Sequence, residues 1–122
     1  MRRSVLTIWG PFLAALAVMF WLSSLPYIPM TKHVSDKFLH AVGYTGLSVL
    51  ALRAFHGGFR RLRWTPTMCA GLAITLWGAS DEFHQSFVPG RDASGWDLLA
   101  DVFGFAIAAV AVALWTRSRA LR

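Results

Sequence analysis

Acidic residues are scarce in this chain: six Asp and Glu stand against twelve Lys and Arg. Charged residues of both signs make up only 15% of the 122 positions, well below the level of a soluble domain. The single cysteine, Cys69, excludes an intrachain disulfide, and its place inside an apolar run marks it as packing. No repeat, linker or low-complexity segment divides the chain, whose length suits one domain. No recognisable nucleophile motif is present. There is also no basic face and no RNA-type aromatic motif, so the net charge of +6 does not point to nucleic acid.

Apolar residues are abundant, at 56%, and are blocked into long runs. That pattern predicts an all-α protein, a four-helix transmembrane bundle forming a single domain over residues 1–122. The spans are expected at roughly 5–25, 36–55, 66–87 and 95–115. The first run has a basic start like a signal peptide. It is longer than a signal core and no A-x-A site follows, so it is expected to remain as the first span, ended by Pro26 and Pro29. Ser35 is a plausible N-cap for the second helix, where Gly43 and Gly46 would let a neighbour approach closely. His56-Gly57-Gly58 breaks that helix, and a basic loop follows. Val88-Pro89-Gly90-Arg91 fits a type II turn, and Ser94-x-x-Asp97 resembles a capping box. On the fourth helix Asp97, Asp101, Gly104 and Ala108 share a stripe, and Gly104, Ala108 and Ala111 read as helix packing. Trp96 and Trp115 sit where interfacial tryptophans belong.

With four spans, nine basic residues fall on one side: Arg2, Arg3, Arg53, Arg60, Arg61, Arg63, Arg117, Arg119 and Arg122. The other side has Lys32, Lys37 and Arg91. The positive-inside rule then gives an N-in/C-in arrangement in a bacterial cytoplasmic membrane. All six acidic residues fall on or just within the outer side, three more than its lysines and arginine. A bound cation, a protonated carboxyl or a charged histidine would relieve that excess.

Five of the six acids lie within residues 77–104: Asp81, Glu82, Asp92, Asp97 and Asp101. Asp36 and Asp97 have structural explanations, since each sits in a first helical turn, where an acid suits the helix dipole. A cap at Asp97 is worth about 0.5–2 kcal/mol. Asp81 and Glu82 lie at a helix C-terminus, where the dipole disfavours them, so Arg91, Lys37 or the histidines should compensate. Asp101 lies a turn or more inside its helix, beyond the reach of capping. A charge at mid-membrane costs roughly 2.5–3.5 kcal/mol, less near an interface, so such residues mark either a site or inter-helix glue. Asp36, His40 and Tyr44 share one helix face. The Asp-x-x-x-His spacing would suit two metal ligands, but it is common by chance. Hydrogen-bonded carboxylate partners are the favoured reading, and no metal is assigned.

The blocks DKFLHAVGY and DEFHQSFVPGRDASGWDLLADVFG, in this order, resemble the VanZ-like family of small membrane proteins. The resemblance covers essentially the whole chain and implies a four-helix layout. Family members are associated with reduced susceptibility to teicoplanin, a glycopeptide-class antibiotic, so the resemblance implies a cell-envelope location without naming a reaction. It singles out Asp36, Lys37, His40, Tyr44, Asp81, Glu82, Gln85, Arg91, Asp97 and Gly104. Asp101 stands where the family often has Asn.

The resulting expectation is a polar site facing the extracytoplasmic side that binds or modifies an envelope amphiphile. The partner would be a membrane lipid or lipid-linked precursor. Asp81, Glu82, His84 and His40 are candidates for acid–base work. Arg91, Gln85, Asp97, Asp101, Asp36, Lys37 and Tyr44 are candidates for binding, with the Arg91 fork suited to phosphate or carboxylate. The alternatives are a structural accessory of envelope assembly and an ion-coupled carrier. The residues identify no cofactor and no oligomeric state.

Overall fold

The computed structural model describes residues 4–26 and 34–121. Tyr27, Pro29, Lys32 and His33 of the first link, with Arg2, Arg3 and Arg122, lie outside the described residues. The chain is all-helical: α1 (Val5–Ser23), α2 (Asp36–Phe55), α3 (Trp64–Gln85) and α4 (Gly95–Ala120). Helices α1, α2 and α4 are each long and apolar enough to cross a membrane. Helix α3 has 22 residues, about 33 Å of rise, with a polar last turn.

Burial runs opposite to that of a soluble protein. Leu76 and Phe103 are 61% and 60% exposed, whereas Asp101 and Gln85 are 0% and 1% exposed. A water-soluble fold would hide those large apolar groups and solvate the acids. Here the outer surface offers Leu6, Trp21, Leu72, Val110 and Leu114 to the surroundings, the arrangement a lipid solvent selects.

Helix ends differ from the expected bounds for local reasons. Helix α3 begins at Trp64 rather than Pro66, because a first-turn proline lacks only an N–H that has no intrahelical partner there. It ends at Gln85 and not at residue 87, where Phe87 and Val88 already form turn hydrogen bonds. Helix α1 ends at Ser23, two residues early, with Ser24 as its C-cap. Helix α4 continues five residues past Trp115 and carries Arg117 and Arg119 into its last turn, where cations suit the dipole. The α2–α3 link is tied by His56. Its Nδ1 donates to Leu52 O at 2.8 Å and its Nε2 accepts from Arg63 N at 3.1 Å. Gly57 and Gly58 follow with positive φ.

Helix α2 is central, touching α1, α3 and α4, with the most extensive packing against α4. At their crossing a Cβ on Gly104 would lie 2.7 Å from Ala41 O and 2.9 Å from Thr45 N, so main chain meets main chain. Gly43 meets only Met19 of α1, and a Cβ on Gly46 would meet nothing within 4 Å. The expected close approach therefore belongs to Gly104 and not to Gly46. The buried stripe of α4 continues from Gly104 and Ala108 to Val112, and Ala111 lies off it, exposed.

Helix α1 carries Pro11 in its interior. A proline at this position withdraws the N–H that would bond the carbonyl of Thr7. Arg53 of α2 supplies the missing donor, with Nη2 at 2.7 Å from Thr7 O and Nη1 at 2.7 Å from Ile8 O. This joins the start of α1 to the end of α2. Nearby, Phe59 packs edge-on against Trp115.

Candidate functional site

At the opposite end of the bundle the start of α2, the last turn of α3 and the first turns of α4 meet. The resulting cluster is buried and polar. His40 lies at its centre, 7% exposed. Its Nδ1 is 2.8 Å from Asp101 Oδ1, and its Nε2 is 3.7 Å from Glu82 Oε1. The Tyr44 ring, fully buried, stacks at 6.0 Å from the imidazole. Helical spacing places His40 and Tyr44 on one face of α2. Asp36, one turn earlier, is exposed but still offers an oxygen within 4.8 Å of His40 and Asp97 ligand atoms.

Glu82 works in two directions. Its Oε2 accepts the backbone N–H of Ser94 at 2.8 Å, across from α3 to the start of α4. Its Oε1 faces His40 without a hydrogen bond. The expected capping box is therefore not formed. Ser94 Oγ accepts from Trp96 N, while the Ser94 N–H, which Asp97 would take in such a box, goes to Glu82. Asp97 instead turns inward, 2% exposed, with Oδ1 3.7 Å from Lys37 Nζ. The carboxylate given a local role by its sequence position belongs to the buried cluster.

Asp81 sits beside this group and accepts from Gln85 Nε2 at 3.2 Å through Oδ2. Gln85 Oε1 accepts from Arg91 Nη2 at 3.0 Å. Arg91 thus reaches Asp81 through the amide. His84 points elsewhere: its Nε2 is 3.0 Å from Ser24 Oγ and its ring lies 4.7 Å from Phe20. It packs on α1, apart from the carboxylates grouped around His40.

Four carboxylates, Asp81, Glu82, Asp97 and Asp101, are buried together. Among the described residues each has at least one oxygen without a hydrogen bond: Asp81 Oδ1, Glu82 Oε1, Asp97 Oδ1 and Asp101 Oδ2. Among the described residues, one imidazole in contact, a half-exposed lysine at 3.7 Å and an arginine one residue removed stand against them. Asp101 Oδ2 fits beside α3 because residue 78 is glycine; a Cβ there would lie 2.7 Å from it.

A groove of about 320 Å³ opens between the end of α3 and the start of α4. Ala79, Phe83, Leu98 and the backbone around Gly95 form mainly apolar walls, and Glu82 is its one acidic lining residue. Apolar walls with a few placed polar groups are the usual make-up of a small-molecule site. Chemically, Asp101 orients His40, which stands next to Glu82, and Glu82 borders the groove. That order can hold or pass a proton.

Sequence reasoning missed Ser94 as the partner of Glu82, Gly78 as the seat of Asp101 and Ser24 as the partner of His84. Each is a small residue whose role depends on another helix, and none carries a local signal. No protein-family model, curated protein or solved structure matches the chain.

Proposed function

We propose that this is a VanZ-like membrane protein that binds or modifies a lipid or lipid-linked precursor of the bacterial cell envelope. All four helices cross the cytoplasmic membrane, with both termini inside and the carboxylate end facing outward. The excess of arginine at one end and the confinement of the acids to the other support that orientation. The observation that carries the functional reading is the line Asp101–His40–Glu82, buried in the bundle and ending on a groove with apolar walls. An amphiphile would lay its chain along those walls and bring its headgroup to Glu82. The planar fork of Arg91 suits a phosphate or carboxylate on that headgroup. Glu82 exchanges a proton with the substrate, and His40, held by Asp101, relays it.

Purified protein incubated with envelope lipid extract tests this reading, comparing wild type with Glu82→Gln and Arg91→Ala. Loss of bound lipid or of turnover in the variants, at normal folded yield, is expected. Identical lipid co-purification and turnover in all three proteins would overturn it. The hold of Glu82 on the start of α4 favours a second, structural reading, in which both substitutions lower folded yield without a separate loss of function.

A further inference from the structure

We infer that the cluster is a binding site for a divalent cation with nitrogen and oxygen ligands. His40 Nε2 and Glu82 Oε1 are the protein ligands, and Asp101 holds the imidazole from behind. This inference stands on the cluster's own geometry and does not depend on the lipid reading of the groove; a cation on these two atoms would replace the direct proton exchange between Glu82 and His40.

The His40–Glu82 pair is the starting point. Their facing atoms are 3.7 Å apart, beyond the ~2.7–3.2 Å of an N–H···O hydrogen bond. Asp101 Oδ1, at 2.8 Å from Nδ1, is placed to accept a proton from that nitrogen. In the neutral imidazole so held, Nε2 presents a lone pair toward a carboxylate oxygen that has no other partner. A charged imidazole, a protonated Glu82 or a cation between the two atoms would each relieve that confrontation, and the inference commits to the cation. Two ligands with bonds of ~2.0–2.2 Å to one zinc lie roughly 3.4 Å apart at the tetrahedral angle. The observed gap needs only a few tenths of an ångström of adjustment.

The surroundings agree. Ligand atoms of His40, Glu82 and Asp101 all lie within 4.8 Å of one another. Asp97, whose oxygen groups with Asp36 and His40, adds a second buried carboxylate beside the imidazole, and its Oδ1 lacks a hydrogen bond. The Glu82 side chain is 10% exposed and that of Asp101 is 0%, so water does not readily solvate their spare oxygens. A dication neutralises two of the four buried negative charges, where an imidazolium would neutralise one. A carboxylate bonded to the far nitrogen of a ligating histidine is the usual outer support of a metal site. One imidazole with carboxylates and no thiolate selects Zn²⁺ or Mn²⁺ over soft metals.

Full-length protein in detergent, stripped with EDTA and then equilibrated with Zn²⁺ by dialysis, tests the site without any lipid substrate. Wild type is expected to retain a single Zn²⁺ per chain. His40→Gln and Glu82→Gln should weaken binding by roughly tenfold or more, and Asp101→Asn by about tenfold to a hundredfold. Asp92→Asn, at an exposed position, should bind as wild type does. Wild type retaining less than about a tenth of an equivalent would overturn the inference. So would variants at His40 and Glu82 that bind as tightly as wild type. A second measurement needs no variant: Mn²⁺-loaded wild type should show the electron-spin-echo modulation of a coordinated imidazole nitrogen. A spectrum lacking it overturns the assignment even if the variants do not fold.

Discussion

Glu82 on α3 accepts the backbone N–H of Ser94, the residue that opens α4, at 2.8 Å. One carboxylate oxygen therefore joins two helices while the other faces His40. Charge and hydrogen-bond acceptance can be separated at this position. Glu82→Gln keeps an acceptor for Ser94, and Glu82→Ala removes it. Glu82→Ala should lower stability by about 1–3 kcal/mol, with a smaller loss for Glu82→Gln. Thermal unfolding in detergent reads this, and equal losses would show that Ser94 does not depend on the carboxylate.

Arg53 compensates for Pro11, and the two should therefore be coupled. Arg53→Met leaves Thr7 O without a donor and should cost about 1–3 kcal/mol. Pro11→Ala restores an N–H within α1. In that background Arg53→Met should cost less, by about 0.5 kcal/mol or more of coupling. A double-mutant cycle on melting measures it, and strict additivity would contradict the pairing.

Gly104→Ala would drive a methyl group into Ala41 O and Thr45 N, backbone atoms that cannot swing aside. A loss of about 1–3 kcal/mol is expected, as for other overpacked cores. Gly46→Ala meets open space on the same pair of helices and should be neutral or slightly stabilising. The comparison is read by unfolding of both variants under one condition.

Topology has a direct chemical test. In a Cys69→Ser background, single cysteines replacing Arg61 and Asp92 should react with a membrane-impermeant maleimide from opposite faces of the membrane. Asp92 should label in intact cells, and Arg61 only after the cells are opened. Labelling of both from one face would remove the four-span arrangement.

Much of the fold was legible in the sequence, because long apolar runs separated by Pro, Gly and Arg leave few alternatives to helices. The bounds of α2 fall where Asp36 and His56-Gly57-Gly58 place them, although Ser35, at the N-cap position, makes no side-chain capping bond. The turn at Val88–Arg91 followed from proline and glycine order, and Arg91 N does bond Val88 O with Gly90 at φ 78°. Side-chain partnerships were less legible. Asp97 has the spacing of a cap and the burial of a cluster member, and only the approach of Glu82 from α3 decides between them. His84 shares a turn with Asp81 and Glu82 yet faces α1. That direction depends on where α1 packs, which no local pattern encodes. In the sequence Arg53 reads only as one of the basic residues that set the topology. Its second role requires knowing that α1 and α2 lie side by side at Pro11.

Main-chain contact at Gly104 makes α2 and α4 a single stiff beam. His40 and Asp101 are both mounted on that beam, so their spacing is preserved whenever the bundle breathes. Glu82 rides on α3, which leans on α4 through the notches at Gly71 and Gly78. If the seam between α3 and α4 widens to admit a bulky headgroup, the adjustable gap is the one between Glu82 and His40. Entry of a guest and tuning of that gap would then be one movement.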